Sequence, residues 1–283
     1  MEGREDPQLE HFKLDNSPKD FMLNYKTISD SMIKLTEETV AFIENHRKQV
    51  SDSQIETKSL NSLVSFVDKG AEELLVAGLK KILPEAGFIA EEGTETKSQP
   101  TLNWIIDPLD GTTNFLHNIP VFAISIALKE GEEIVAGVVY EIGQKECFSA
   151  FKDGGAFLNG KAIRVSEKAN LSDTLIATGF PYYDFDRMEE FINILKSFIH
   201  KTRGVRRLGS AATDLAYVAC GRFDGFFEYG LSPWDVAAGV VLVKEAGGVV
   251  CDYSGGNDFL FGGEISASSS AVHDEFMAVL KDI

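Results

Sequence analysis

The chain has 283 residues, 44% of them hydrophobic and 25% charged, with 25 Gly and 8 Pro; this is apolar material for one large core or two sub-domain cores, and it excludes a disordered or collagen-like chain. Its 44 acidic and 27 basic residues leave a formal net charge of −17, the opposite of the basic surface that a nucleic-acid-binding protein presents. Cys147, Cys220 and Cys251 show neither CxxC pairing nor zinc spacing, and no secretory or membrane-spanning apolar run occurs, so free thiols and a soluble cytoplasmic protein are expected.

Residues 1–21 are charged, lack periodicity and precede a second Met at position 22; they read as a disordered leader or extension outside the fold. Ile28, Met32, Leu35, Thr39, Phe42 and Ile43 follow helical spacing and predict a helix from about residue 26 to about 46. Val67, Ala71, Leu74, Leu75, Gly78, Leu79 and Ile82 repeat the pattern until Pro84 stops it. A short strand at 88–90 ends in Glu91-Glu92, and another over 102–106 ends in Asp107. From 121 to 165, apolar runs punctuated by Glu130-Gly131-Glu132, Ile142-Gly143-Gln144 and Asp153-Gly154-Gly155 predict antiparallel hairpins. Beyond them come a strand at 175–178, helices near 187–200 and 211–220, a strand around Phe226 and a helix over 233–245. Gly247-Gly248 closes that helix, and strands near Val249 and Ile265 precede a last helix from about Val272. The predicted fold is α+β / α/β: a layered αβαβα sandwich of two sub-domains, 22–164 with an antiparallel sheet and 165–283 with a mixed one.

Within this frame, Asp107-Pro108-Leu109-Asp110-Gly111-Thr112-Thr113-Asn114-Phe115 is the most informative run. An apolar strand delivers two carboxylates into a Pro/Gly turn followed by hydroxyl residues. Asp oxygens suit Mg²⁺, which completes its shell with water and substrate phosphate. Backbone N–H groups after Gly111 can meet an anion if a helical turn starts there. Three further carboxylate positions stand out. If the strands ending at Glu91 and Asp107 lie side by side, their acidic ends meet, with only one of Glu91 and Glu92 on the inner face. Asp68 opens the second helix, and Asp235 lies in the first turn after Ser232-Pro233.

Each of these has a simpler explanation. Asp68 complements a helix dipole, Ser232-Pro233-Trp234-Asp235 is a capping box, Glu91-Glu92 is a solvated pair, and Asp107 to Gly111 is a turn. The joint pattern nevertheless favours a site. The five His do not cluster, and no G-x-S-x-G elbow, P-loop or G-x-G-x-x-G is present. The basic cluster Arg203, Arg206 and Arg207 reads as a solubility patch or subunit contact.

The run 107–115, together with Trp234-Asp235-Val236-Ala237-Ala238-Gly239 and the upstream Glu91-Glu92, resembles the inositol monophosphatase family from about Met22 to the C-terminus. The resemblance implies a Mg²⁺-dependent, lithium-sensitive phosphatase, commonly a homodimer, acting on a small phosphorylated polyol. It implies that Glu91, Asp107 and the Leu109 carbonyl hold one Mg²⁺, that Asp107, Asp110 and Asp235 hold a second, and that a third leans on Glu91. Asp68 and Thr112 would orient and deprotonate the attacking water. The segment 109–112 would hold phosphate, with N–H groups of Gly111 and Thr112, while Gly209, Ser210, Ala211, Glu228 and Asp235 would line the polyol. Ser62 stands where the family usually has Asp, which touches third-ion affinity and the nearby loop carrying Lys58.

The expected reaction is therefore hydrolysis of myo-inositol monophosphate. Relatives that hydrolyse 3′-phosphoadenosine phosphates tend to carry Lys-Glu-Phe in place of Thr113-Asn114-Phe115. The alternatives are the same machinery on fructose-1,6-bisphosphate, histidinol phosphate or a nucleotide phosphate, and a regulatory or RNA-associated role on this fold. A D-x-D-G-T nucleophile motif fits less well, because an extra residue separates the two Asp.

Overall fold

The computed structural model describes residues 23–47, 56–59, 62–95, 98–181 and 185–282, with the backbone alone for 56–59 and 62–64. The expected leader, and the side chains of Lys58 and Ser62, lie outside the described residues.

Two helices, α1 (Tyr25–Arg47) and α2 (Phe66–Ile82), cover one face of the larger sheet. Most of the predicted apolar stripe is buried, Ile28, Met32 and Ile43 of α1 joining Val67, Ala71, Leu75 and Leu79 of α2 in one core, whereas Leu74, 43% exposed, lies off the buried face. Thr36 and Thr39 join the stripe because their hydroxyls donate to the carbonyls of Met32 and Leu35 at 2.8 and 2.9 Å. The backbone hairpin of β1 (Glu56–Ser59) and β2 (Ser62–Val64) separates the two helices in sequence.

The larger sheet has seven strands in the order β3 (Gly87–Ala90), β4 (Leu102–Asp110), β5 (Ala123–Glu130), β6 (Glu133–Glu141), β7 (Glu146–Phe151), β8 (Gly155–Leu158) and β9 (Lys161–Ile163). It departs from the all-antiparallel expectation at β3, which runs parallel to β4 with Phe88 opposite Trp104 and Ala90 opposite Ile106. A four-residue apolar strand carries no directional signal in its sequence, and residues 91–101 are long enough to carry the chain back to the same end. All the other pairs in this sheet are antiparallel.

The smaller, mixed sheet has five strands, ordered β11 (Gly204–Arg206), β10 (Leu175–Thr178), β12 (Gly225–Tyr229), β14 (Glu264–Ser269) and β13 (Gly248–Cys251). β10 is parallel to β11 and β12, and β14 is antiparallel to β12 and β13. Helices α5 (Ala211–Ala219) and α6 (Pro233–Glu245) fill the space between the sheets, in one core that joins Ile105, Ala127 and Phe148 of the larger sheet to Ala177, Phe226 and Ile265 of the smaller. α4 (Met188–Lys201) and α7 (His273–Lys281) cover the outer face, where Phe191, Phe198 and Phe276 meet Phe227. Successive residues Phe226 and Phe227 thus enter different cores, as the two-residue strand period requires. α6 is apolar on all sides because sheets flank it on both. The result is five layers, α/β/α/β/α, as expected.

One irregularity sets the geometry of the site. In β4, Asp107 pairs with Ser125 but Asp110 pairs with Ala123, so three steps on one strand match two on the other. In a regular strand, residues three apart face opposite sides; the extra residue of this bulge returns both carboxylates to one side. Pro108, which has no N–H to place in the ladder, sits inside the bulge.

Candidate active site

The bulge, the end of β3 and the first turns of α5 and α6 meet at one edge of the middle layer. Parallel pairing of β3 with β4 brings Glu91, whose N–H donates to the Ile106 carbonyl at 3.2 Å, beside Asp107. Glu91 lines the cavity described below, and the backbone N–H of Glu92 donates to Glu72 Oε2 at 2.7 Å. Ser125, paired with Asp107 in the sheet, donates to the Trp234 carbonyl at 3.1 Å. That bond fixes the start of α6, and Asp235 with it, against β4.

Carboxylate oxygens of Asp107, Asp110 and Asp235 all lie within 4.8 Å of one another. Each acid has one oxygen held locally: Asp107 Oδ1 accepts from Leu109 N at 2.9 Å, Asp110 Oδ2 from Ser210 Oγ and Ala212 N at 2.7 Å, and Asp235 Oδ2 from Ser232 N at 2.7 Å. The Asp107 side chain also meets that of Glu91. Burial pushes all three pKa values up. The charges of Glu91, Asp110 and Asp235 add to the effect at Asp107, and Asp110 does most at Asp235. Asp110 rises only to about 6, because Ser210 and Ala212 oppose its burial. Buried like charges held this closely call for a cation, and a set of oxygen donors without His or Cys fits a hard one such as Mg²⁺.

Asp68 has two roles at once. Its Oδ2 accepts from Ser65 N and Ser65 Oγ at 2.8 and 2.6 Å, a capping box at the start of α2. Its Oδ1 lies 3.0 Å from Thr112 Oγ1, which is also 3.0 Å from the Leu109 carbonyl. Asp68 therefore caps α2 with one oxygen and reaches Thr112 with the other. Asp235 combines a capping box with the site in the same way. The short helix α3 (Thr112–Leu116) does start after Gly111, whose φ of 90° suits glycine; a Cβ there would stand 3.0 Å from the Val121 carbonyl oxygen and 3.1 Å from that of Gly209. Asn114 joins the same two segments, its Nδ2 donating at 2.8 Å to the carbonyls of Val121 and Leu208.

Glu91, Asp110, Gly209, Ser210, Ala211, Glu228 and Asp235 line one cavity of about 140 Å³. Asp68, Asp107, Leu109, Gly111 and Thr112 are not among the residues that line it. Gly179 lets the Glu228 carboxylate seat against β10, because a Cβ there would lie 2.0 Å from its Oε1.

Sequence reasoning missed two charged members of this wall. Arg207, grouped with Arg203 and Arg206 as surface, lines the cavity and sets its guanidinium 5.4 Å from the Phe180 ring centre. Its charge opposes the upward shifts at Asp110, Asp214 and Glu228. Arg203 instead pairs with Asp173 at 2.8 Å. Asp214 was the second omission, although its place one helical turn after Ser210 was a usable signal.

A five-layer αβαβα protein with an all-carboxylate cluster at the edge of its middle helix layer is the class that this fold and site define. The chain belongs to the inositol monophosphatase family, whose sequence model matches residues 25–283. The inositol-1-monophosphatase of Mesorhizobium japonicum is 44% identical over 234 residues, 82% of this chain and 88% of that protein. The Nus factor SuhB of Escherichia coli is 43% identical over 226 residues, 80% of this chain and 85% of its own length. A crystal structure of the extragenic suppressor protein suhB from Bartonella henselae superposes with a TM-score of 0.86 at 39% identity, covering 90% of this chain and 98% of that one. No helix among the described residues is long and apolar enough to cross a membrane.

Proposed function

We propose that the protein is a Mg²⁺-dependent phosphomonoesterase that hydrolyses myo-inositol monophosphate to inositol and phosphate. The observation that carries this reading is the convergence of Asp107, Asp110 and Asp235, remote in sequence, to within 4.8 Å. Glu91, Asp107, the Leu109 carbonyl, Asp110 and Asp235 would hold two or three ions. Bound there, Mg²⁺ supplies charge neutralisation for the phosphate and the departing alkoxide and makes water a better acid.

The remaining work falls to the chain. Thr112 Oγ1, tied to Asp68 Oδ1 at 3.0 Å, orients the attacking water and hands its proton to Asp68, and Glu91 assists. The N–H groups of Gly111 and Thr112 bind phosphate oxygens at the start of α3. Gly209, Ser210, Ala211 and Glu228 receive the polyol. In this reading residues 22–164 form a sub-domain carrying most ion ligands, and 165–283 one carrying Asp235 and the substrate wall. The enzyme works in the cytoplasm as a homodimer and is inhibited by lithium.

Phosphate release from inositol 1-phosphate, with and without Mg²⁺ and with added lithium, tests the proposal beside fructose-1,6-bisphosphate, histidinol phosphate and a nucleotide phosphate. Absence of metal-dependent turnover on every ester refutes it, and preference for another ester replaces the substrate. The name of the Escherichia coli relative, a Nus factor, favours a second reading as a transcription-associated protein. The net charge of −17 opposes direct RNA contact, and tight RNA binding in a gel-shift assay at physiological salt would revive it.

A further inference from the structure

Glu72 lies in α2 one helical turn after Asp68, so these two buried acids share one face of the helix. Asp68 reaches Thr112 from that face. Glu72 reaches a different part of the site: its Oε2 accepts from Glu92 N and its Oε1 from Thr94 N, both at 2.7 Å. Gly93, between the two donors, has a φ of 74°, a left-handed conformation that turns both N–H groups toward one carboxylate. The end of the bend is tied to the same helix, where Lys80 Nζ pairs with Glu95 Oε2 at 2.6 Å.

The stretch so held begins with Glu91, which lines the cavity. β3 ends at Ala90, and beyond it the bond from Glu91 N to the Ile106 carbonyl is the last tie to the sheet. Asp68, Asp107, Asp110, Glu228 and Asp235 sit in strands or helices, whereas Glu91 sits in a bend. A carboxylate engaged by backbone donors on both oxygens makes bonds stronger than neutral ones, and Glu72 makes them at 0% exposure. A ligand on a loose bend has to be ordered as an ion binds, and the entropy lost weakens binding; a bend already fixed avoids that loss.

We propose that Glu72 is a positioning residue for cation binding, pinning the bend after β3 so that the Glu91 carboxylate is held beside Asp107. The inference rests on the Mg²⁺-dependent reading above and adds to it a residue that touches neither ion nor substrate.

The test follows Mg²⁺ by thermal unfolding of the substrate-free protein and by hydrolysis of inositol 1-phosphate, in the wild type, Glu72→Gln, Glu72→Asp and Phe276→Leu. Glu72→Gln keeps the size but turns an amide donor toward one of the two N–H groups. The Mg²⁺ concentration needed for a given rise in Tm, and that for half-activation, are both expected to increase about tenfold. KM for inositol 1-phosphate at saturating Mg²⁺ should stay within about twofold. Glu72→Asp keeps both acceptors on a shorter stem; it should fall between Glu72→Gln and the wild type, and it carries the comparison if Glu72→Gln does not fold. Phe276→Leu loosens the outer core around Phe198 and Phe227 and should lower Tm without moving either Mg²⁺ requirement. A Glu72→Gln protein of lower Tm with wild-type Mg²⁺ requirements overturns the proposal, as does a Phe276→Leu protein whose requirements shift as far; the phosphatase reading stands in both cases. A wild type that shows neither a Tm rise nor turnover with Mg²⁺ overturns the two together.

Discussion

Ser210 Oγ donates to Asp110 Oδ2 at 2.7 Å across 100 residues of sequence. The same hydroxyl accepts from Thr213 N at 3.3 Å as the N-cap of α5. One side chain therefore starts a helix of the middle layer and orients a carboxylate of the larger sheet, leaving that carboxylate's other oxygen to the cluster.

Two substitutions separate these functions. Asp110→Asn is expected to abolish metal-dependent turnover, by roughly 100-fold or more in kcat, with the fold retained. Ser210→Ala should cost about 1 kcal/mol of stability through the lost cap and raise the Mg²⁺ concentration needed for half-activation. Thermal unfolding and Mg²⁺ titrations of activity measure both; near-normal turnover in Asp110→Asn would refute its assignment as a ligand.

Thr112→Val removes the hydroxyl between Asp68 and the Leu109 carbonyl at almost constant volume. The expected result is a fall in kcat of about 100-fold with about 1 kcal/mol or less lost in stability. Thr112→Ser should restore most of the rate. Steady-state kinetics decide, and a valine variant with wild-type kcat excludes a proton-handling role for the pair.

Gly179→Ala would place a methyl carbon 2.0 Å from Glu228 Oε1, and the carboxylate must move. KM for inositol 1-phosphate is expected to rise roughly tenfold with little change in kcat. An unchanged KM would show that Glu228 does not touch the substrate.

The metal-free protein should lose stability as pH rises. Asp110 sits at about 6, and Asp107 and Asp235 are pushed up with it, so the folded state holds these protons more tightly than the unfolded chain. The stabilisation is complete below the ordinary carboxylate range near pH 4 and is lost as pH climbs through the raised values, which for Asp110 means through about 6. For Asp110 the swing is on the order of 3 kcal/mol. Thermal scans in EDTA between pH 4.5 and 7 should show a steeper decline for the wild type than for Asp110→Asn. Added Mg²⁺ should raise the wild-type Tm more at pH 7 than at pH 5. The opposite order would contradict a cation at the cluster.

Local chemistry wrote much of this molecule legibly. α6 runs over the predicted residues because Ser232-Pro233 opens it and Gly247-Gly248 closes it. The hairpins from β5 to β9 follow from turn residues between alternating runs, and the bordering apolar stripes of α1 and α2 follow from helical spacing. The acids at 91, 107, 110 and 235 were visible as strand-end and helix-start residues. β11 escaped notice because three residues among arginines carry no period, and the few apolar residues of β3 read the same either way, so its parallel direction was implied only by the expected meeting of the acidic ends at Glu91 and Asp107.

Sequence by itself determined which acids stand at strand ends and helix starts and which face of most elements is apolar. Tertiary structure alone decided the bulge that turns Asp107 and Asp110 to one side, the seat of Glu228 on Gly179, and the entry of Arg207 and Asp214 into the cavity. The physical reason is range. Periodicity and capping act over a turn or two of chain, whereas these contacts depend on strand register and on how two sheets close over a shared layer of helices.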